Sequence, residues 1–321
     1  MTPVALLSNP ASTGNLAILQ GVRSFCAAHD EIFHYEVDSV GQVGTALATI
    51  ARVRPKVLVI NGGDGTVQAA LTELHHGGYF PDGAPPVAVL PNGKTNLIAH
   101  DLGADGDPLV ALGRVLELAR GDLSPHVVQR ELIALSGPGH RPVLGMFLGG
   151  AGLADAILYC RNRIYPLGLP NGFAHVLTLA AFLLTVLTGA RARFLPPRPP
   201  LLRVSVAQGS ALQGRFQLLM VTTLEKLLLN AHNSAPQAPG ALRLLAVERR
   251  PLAMVRALAA ALTGKLGQSP VEGIHLASGD EIRIEGDRTS VVLDGELYEA
   301  SVDRPIILTP TAPVSFLKLA A

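Results

Sequence analysis

Residues 57–66 read Val57-Leu58-Val59-Ile60-Asn61-Gly62-Gly63-Asp64-Gly65-Thr66, an apolar strand that runs into a glycine-rich turn, and 67–74 continue with helical spacing. The glycines permit unusual backbone angles and let a phosphate approach backbone N–H groups. The start of the following helix favours an anion at the same place. The stretch therefore predicts a strand, a phosphate loop and a helix. A plain tight turn is the simpler interpretation of any one glycine cluster.

Asp64, the charged residue of this loop, is not expected to bind phosphate directly. A carboxylate repels phosphate, so Asp64 suits a metal ion or a sugar hydroxyl better, whereas Thr66 suits the helix start or a phosphate oxygen. The loop lacks both GxGxxG and GKS/T, so it is neither the dinucleotide fingerprint nor the Walker A loop.

The first third of the chain alternates strand and helix patterns around this loop. Alternation of this kind is typical of a three-layer α/β domain, with helices on both faces of a parallel sheet. Ligands bind such sheets beyond the carboxyl ends of the strands. The predicted strands are 4–8, 32–37, 56–60 and 87–90, and the predicted helices are 16–28, 43–52 and 67–74.

Beyond Gly121-Asp122 the pattern changes to β-branched and alternating runs, with helical insertions at 154–163, 173–188 and 252–263. This sequence pattern predicts a mostly antiparallel β domain that carries a few helices. We place the domains at 1–125 and 126–305, with 306–321 as a strand-like tail that can return to the first domain. The predicted strands are 127–135, 142–147, 201–207, 216–221, 242–247, 273–276, 281–284 and 290–293.

Composition limits the remaining possibilities. The chain has 321 residues, 48% of them apolar, with a net charge of +1, which gives no general attraction to nucleic acid. Cys26 and Cys160 fit no zinc or redox spacing. The N-terminus resembles a first strand and not a signal peptide, so we expect a cytoplasmic protein.

The uncharged stretch at 164–190 is interrupted by prolines, and its helical part, 173–188, is about 24 Å long at about 1.5 Å per residue. That length is short of a bilayer core. The apolar residues go nearly all round this helix, which favours a buried helix over an interfacial one. A lipid-facing helix is the alternative.

Five motifs in order resemble those of the diacylglycerol kinase catalytic family, which includes bacterial diacylglycerol kinases, sphingosine kinases and ceramide kinases. The glycine loop at 62–66 is one of them. The other four are Ser8-Asn9-Pro10-Ala11-Ser12, Leu90-Pro91-Asn92-Gly93-Lys94-Thr95-Asn96, Gly149-Gly150-Ala151-Gly152 and Leu293-Asp294-Gly295-Glu296.

The resemblance implies a two-domain enzyme that uses ATP and Mg²⁺ to phosphorylate a lipid hydroxyl. Glu296 is then the general base, and Asp294 its neighbour in metal or hydroxyl positioning. Asp64 is the candidate metal ligand. The implied nucleotide contacts are Asn9, Pro10, Gly62, Gly63, Asp64, Gly65, Thr66, Gly93, Lys94, Thr95 and Asn96.

The chain departs from the family pattern at four positions. Lys94 replaces a usual threonine and can place a charge on a phosphate, or it is a solvated surface lysine. Leu97 replaces an aspartate, and Ala69 replaces a glutamate for which Glu73 can substitute. Pro239 stands where an aspartate would hold a structural metal, so we do not expect that metal.

The acceptor is left open by the resemblance: diacylglycerol, a sphingoid base, ceramide or another lipid alcohol all suit it. A soluble-metabolite kinase, as in the related NAD kinases, and a non-catalytic binding protein are the rival functions. For a lipid substrate we expect transient peripheral contact with a membrane, helped by Arg161, Arg163, Arg191 and Arg193. The sequence does not indicate an oligomeric state.

Overall fold

This computed structural model describes residues 3–93, 95–137, 141–169, 171–189, 197, 199–207, 209, 211–224, 240–264, 266, 271–287, 289–300 and 304–320. Contacts divide the chain into two units. The first contains Met1–Leu132, Val143–Gly145 and Ala312–Ala321, and the second contains Ile133–Pro142 and Met146–Thr311.

The first unit is built on one sheet with the strand order β2-β1-β3-β4-β18-β5. Its strands are β1 (Val4–Ser8), β2 (Ile32–Glu36), β3 (Val57–Asn61), β4 (Val87–Val89), β5 (Val127–Arg130) and β18 (Val314–Leu317). The first four are parallel, β18 runs parallel to β4, and β5 is antiparallel to β18. The central strands β1 and β3 are buried throughout, as their apolar runs predict.

Helices α1 (Asn15–Ala27), α2 (Val43–Arg52), α3 (Asp64–His76), α4 (Leu97–Asp101) and α5 (Pro108–Arg120) connect these strands. The short strand β7 (Val143–Gly145) belongs to the same unit, where the Leu144 N–H donates to Thr72 Oγ1 on α3 at 3.0 Å. The predicted α/β domain with a parallel sheet is confirmed. The structure also places β5, beyond the predicted boundary at 125, in this unit.

The second unit contains two antiparallel sheets. One has the order β10-β9-β14-β17-β6, and the other has β13-β12-β11-β8-β15-β16. The strands are β6 (Ile133–Ser136), β8 (Phe147–Gly150), β9 (Leu202–Val206), β10 (Leu212–Gly214), β11 (Phe216–Thr222), β12 (Leu242–Glu248), β13 (Ile274–Gly279), β14 (Ile282–Gly286), β15 (Thr289–Leu293), β16 (Glu296–Ala300) and β17 (Ile306–Pro310). Helices α6 (Gly152–Tyr159), α7 (Asn171–Thr188) and α8 (Pro251–Leu262) complete it, and the predicted antiparallel domain is confirmed.

Two predicted strands are each divided between the units. The predicted strand 127–135 is β5 and β6, because β5 pairs with β18 whereas β6 pairs with β17. The predicted strand 142–147 is likewise β7 and the start of β8. Of the predicted returning tail, only β18 joins the first sheet, while β17 stays in the second unit. Apolar runs predict strands but do not tell which partner each half selects.

Helix α7 is half exposed, so the prediction of a buried helix was wrong. Ala174, Phe182 and Val186 are buried, whereas Phe173 is 71% exposed and Val176 is 66% exposed. Leu177, Leu179 and Leu184 are also exposed. An all-round apolar helix cannot reveal from sequence alone which face its neighbours cover. Within the part of the chain that the structure describes, no helix is both long enough and apolar enough to cross a membrane.

Candidate functional site

Three loops of the first unit leave the sheet at the same edge. They follow β1, β3 and β4, and these strands are parallel neighbours in the order β1-β3-β4. The carboxyl ends of neighbouring parallel strands meet at one edge, which is where such sheets bind ligands. We call them the N-terminal loop (9–12), the glycine loop (62–66) and the second loop (91–96).

The glycine loop turns β3 directly into α3. Gly63 is the extended N-cap, and its carbonyl accepts the N–H groups of Thr66 at 2.9 Å and Val67 at 3.1 Å. A Cβ on Gly62 would lie 2.7 Å from the Thr66 side chain, so this tight entry needs glycine. The loop therefore places backbone donors and the positive end of a helix dipole together.

The N-terminal loop is bonded to the glycine loop. Asn9 Nδ2 donates to Thr66 Oγ1 at 2.9 Å, and the Asn9 carboxamide oxygen accepts the Ala11 N–H at 3.0 Å across Pro10. Thr66 is thus fixed by Asn9, and the N-cap residue of the helix, Gly63, has no side chain with which to cap it. Ser12 Oγ is buried beside Gly63 and has no hydrogen-bond partner among the residues that the structure describes. A buried hydroxyl in this position can donate to an anion.

The second loop contacts the glycine loop through Asp64. Thr95 Oγ1 donates to Asp64 Oδ2 at 3.0 Å, and the Gly93 N–H donates to Asn96 Oδ1 at 2.6 Å. Asn96 has φ 52°, a left-handed angle that asparagine tolerates better than most residues. A Cβ on Gly93 would lie 2.8 Å from Asp64 Oδ1, so this contact requires glycine as well. Lys94 lies outside the described residues.

A groove of about 650 Å³ opens beside α3 in the same unit. Sequence reasoning missed it, because its walls come from three distant segments of the chain. One wall contains Glu73, which accepts a hydrogen bond from Tyr79 Oη at 3.0 Å. Burial, the bond to Glu73 and the charge of Glu73 raise the pKa of Tyr79. The residues that line the groove are mostly small or apolar: Val40, Gly41, Gly44, Thr45, Ala48, Gln68, Ala69, Thr72, Glu73, Tyr79 and Val143.

In the second unit, Asp294-Gly295 forms the two-residue turn of the β15–β16 hairpin. Both residues have positive φ, 44° and 91°, which is the Asp-Gly pattern of a type I′ turn. Asp294 is buried, and its carboxylate accepts the N–H groups of Met146 at 2.8 Å and Phe147 at 3.0 Å. Glu296, two residues on, is exposed. The hairpin therefore holds the Asp294 carboxylate in fixed hydrogen bonds and leaves the Glu296 carboxylate exposed.

Two further side chains lie at this hairpin within the second unit: Arg161 contacts the turn, and Tyr298 belongs to β16. Arg161 Nη1 donates to the Gly295 carbonyl at 3.2 Å, so this arginine is attached to the turn, although the sequence indicated only a helix-flanking charge. Burial, with the charges of Glu296 and Asp294, raises the pKa of Tyr298 to about 12. Tyr298 is consequently a neutral hydrogen-bonding group at physiological pH.

Asp155 is an acid that sequence reasoning missed. It lies in the first turn of α6, which packs against β15, and its buried Oδ2 has no hydrogen-bond partner within the described part of the chain. Burial raises its pKa from 3.8 to about 6. The available signal was a lone acid inside the apolar run that follows Gly149-Gly150-Ala151-Gly152. Unpartnered buried acids with raised pKa values cluster at functional sites.

The structure thus brings most predicted nucleotide residues together at one edge of the first unit, and it places Asp294 and Glu296 in the second unit. Among the described residues, no three His, Cys, Asp or Glu side chains converge as a metal site. Pro239, which stands where an aspartate would hold a structural metal, lies outside the described residues.

Residues 3–125 match the family model described as "Diacylglycerol kinase catalytic domain". The whole chain superposes on a Bacillus anthracis structure described as a diacylglycerol kinase, with 16% identity and a TM-score of 0.60, covering 99% of this chain and 97% of that one. An Archaeoglobus fulgidus NAD kinase in complex with ATP has 13% identity and a TM-score of 0.50, with 98% and 93% covered. At these identities the two structures show a shared fold alone. No curated protein matches the sequence.

Proposed function

Residues 3–125 belong to the diacylglycerol kinase catalytic domain family, and from this premise we propose that the chain transfers the γ-phosphate of ATP to a lipid hydroxyl. The observation that carries the proposal is the convergence of three bonded loops at the carboxyl edge of β1, β3 and β4. Phosphoryl transfer depends mainly on positioning and on neutralising phosphate charge, and a backbone cradle at a helix start supplies both.

The triphosphate binds at the glycine loop in this proposal. Backbone donors at the start of α3 hold its oxygens, Ser12 Oγ adds a donor, and Asn96 orders the second loop around it. Mg²⁺ usually binds through one or two carboxylates together with substrate phosphates. Asp64, held beside the loop by Thr95, fits that donor set, and Mg²⁺ there would neutralise developing phosphate charge.

The nucleotide base occupies the groove beside α3 in this proposal. Gln68 and Ala69 line the groove and follow directly from the glycine loop along the same helix. Small residues such as Gly41, Gly44 and Ala48 leave room for a flat ring. The absence of the family's glutamate at Ala69 fits a groove in which Glu73, one turn on, supplies the carboxylate.

Filling the groove is expected to weaken ATP binding. In Ala69→Phe the ring occupies the space assigned to the base, so the KM for ATP rises by roughly 10-fold or more, a loss of about 1.4 kcal/mol or more. Ala69→Ser is the size-matched control and stays near wild type. Steady-state kinetics over a range of ATP concentrations measure both. An unchanged KM in Ala69→Phe would place the base elsewhere.

Glu296 accepts the proton of the lipid hydroxyl as its oxygen attacks the γ-phosphorus, and ADP leaves. Its exposure at the end of the hairpin keeps it accessible to an acceptor, whereas Asp294 positions the turn through its two backbone bonds. Asp155 accepts a hydrogen bond from the polar head of the acceptor. A carboxylate whose buried Oδ2 has no hydrogen-bond partner among the described residues is suited to that task.

The exposed face of α7 makes peripheral contact with the lipid surface in this proposal. Phe173, Val176, Leu177 and Leu184 recur at helical spacing on that face. Arg161 and Arg163, shortly before the helix, are exposed and can meet anionic headgroups. Arg191 and Arg193 lie outside the described residues. Interfacial helices bind by this combination of apolar area and basic charge.

Replacing the two most exposed apolar side chains of α7 is expected to release the protein from membranes. Phe173→Ser with Val176→Ser should lower partitioning onto phosphatidylcholine–phosphatidylglycerol vesicles by roughly 10-fold or more, since each large apolar side chain contributes about 1.5–3 kcal/mol when fully buried. Vesicle sedimentation measures this. Leu16→Ser with Val110→Ser, equally exposed in the first unit, is the matched control. Equal loss in both pairs would contradict a specific role for α7.

The test of the function is radiolabelled phosphate transfer from ATP to a panel of diacylglycerol, sphingoid base and ceramide in detergent micelles. Labelled lipid supports the proposal and identifies the acceptor. Labelled NAD or another soluble metabolite, with no labelled lipid, would favour the soluble-metabolite kinase. ATP binding without any labelled product would favour a binding protein.

A further inference from the structure

We infer that Asn15, Asn61 and Asn92 are positioning residues that set the spacing of the three nucleotide loops. The inference rests on the proposed nucleotide site and adds residues that the five motifs do not single out for a role. The first two side chains are fully buried, and Asn92 is 6% exposed. Each lies at the start of a loop or of the helix that follows one.

The side chain of Asn92 donates hydrogen bonds to the side chains of both other asparagines. Its Nδ2 donates to Asn15 Oδ1 at 2.5 Å and to Asn61 Oδ1 at 2.7 Å, so both of its amide hydrogens are used. The fit is close, because a Cβ on Gly14 would lie 2.1 Å from Asn92 Oδ1. The second loop is therefore bonded both to the end of β3 and to the start of α1.

Asn15 and Asn61 extend the bonds to the N-terminal loop. Asn15 Nδ2 donates to the carbonyls of Asn9 at 2.8 Å and Asn61 at 3.2 Å. Asn61 Nδ2 donates to Ser8 Oγ at 3.0 Å, and the Asn9 N–H donates to the Asn61 carbonyl at 3.0 Å. Ser8 Oγ also lies 2.9 Å from His34 Nε2. The N-terminal loop and the second loop are thereby joined through Asn15, and each of them is also bonded to the glycine loop.

This arrangement is more specific than burial requires. Apolar side chains would fill the same space without unsatisfied donors, whereas a polar network fixes one geometry and tolerates no missing partner. Catalytic geometry is sensitive to displacements of about 1 Å. Apart from the Ser12 hydroxyl, the groups that bind phosphate in the proposed function are backbone N–H groups of glycine-rich turns, which cannot fix their own spacing. The hydrogen bonds of the three asparagines fix the spacing of the loops.

The test is ATP–Mg²⁺ titration by calorimetry on the full chain, below the unfolding temperature of every variant. Asn92→Asp keeps the shape but presents only acceptors to Asn15 and Asn61, and Asn92→Ala removes the bonds. We expect the Kd for ATP to rise about 10- to 100-fold in both. Asn15→Ala combined with Asn92→Ala should cost less than the sum of the single changes, because the residues act together.

Val115→Ala, in the buried face of α5, is the control for a purely structural role. It should lower the unfolding temperature but leave the Kd for ATP within about twofold of wild type, because Val115 belongs to α5 and to none of the three loops. Wild-type affinity in Asn92→Asp and Asn92→Ala would overturn the inference, and so would equal loss in Val115→Ala. Absence of saturable ATP binding in wild type would overturn the nucleotide site itself, which is a separate outcome.

Discussion

Glu296→Gln is expected to fold like the wild type and to lose about 10²- to 10⁴-fold of kcat, the range that general-base groups contribute. The amide keeps the size of the side chain but cannot accept the hydroxyl proton. Because Glu296 is exposed and its hairpin turn is held by Asp294, the fold should not change. The KM for ATP should stay near wild type, since the proposed reaction assigns Glu296 to the acceptor hydroxyl and gives it no contact with the nucleotide.

Glu299→Gln is the matched control for this prediction, because Glu299 is also an exposed acid of β16. It should retain wild-type turnover. Initial rates with saturating ATP and the acceptor found in the lipid panel give kcat, and circular dichroism checks the fold. Near-native turnover in Glu296→Gln would remove the assignment, and an equal loss in Glu299→Gln would indicate a general effect of charge on the hairpin.

The sequence predicted the parts of the molecule that depend on local pattern. Buried runs such as β1 and β3 and the glycine loop between β3 and α3 are properties of short segments, so the α/β unit and the loop edge that we propose to bind phosphate were predictable. The Asp-Gly pair also predicted a turn. Which face of that turn is buried was not predictable, because the partners of Asp294 are the amides of a strand about 150 residues away in sequence.

The missed features all depend on segments that meet only in the fold. The groove joins residues near 40, 70 and 143, and the asparagine cluster joins positions 15, 61 and 92. Asparagines near glycines indicate turns in a sequence, so their side-chain bonds to one another gave no local signal. The exposed face of α7 was hidden for the opposite reason, because every face of that helix is apolar.

Asp155→Asn is expected to change stability and activity in opposite directions. In the unfolded chain this carboxyl ionises near its ordinary pKa of 3.8, whereas in the native protein it stays protonated to about pH 6. Between these values the native state holds a proton that the unfolded state lacks, so this group makes stability fall as the pH rises. Above pH 6 the full cost of a buried charge remains. Removing the charge should raise the free energy of unfolding at pH 7.5 by about 1–3 kcal/mol.

Urea unfolding of wild type and Asp155→Asn between pH 4 and 7.5 measures this difference, which should shrink towards pH 4. Asp122→Asn is a control of opposite sign: Asp122 is exposed, and hydrogen bonds from Ser124 lower its pKa. Relative to the wild type, Asp122→Asn should not become more stable as the pH rises. A difference independent of pH in Asp155→Asn would show that the carboxyl is not ionised at a cost in the native protein.

The same substitution tests why such a carboxylate is present. Burial of this carboxylate costs stability at neutral pH, and its Oδ2 has no hydrogen-bond partner among the described residues. If its charge receives the polar head of the acceptor, Asp155→Asn lowers kcat/KM for the lipid, by about 10-fold or more for a lost bond to a charged group, while the KM for ATP stays unchanged. A variant that is more stable and fully active would instead show that Asp155 is not part of the acceptor site, leaving Glu296 as the acid of the second unit to which the proposed reaction assigns a chemical role.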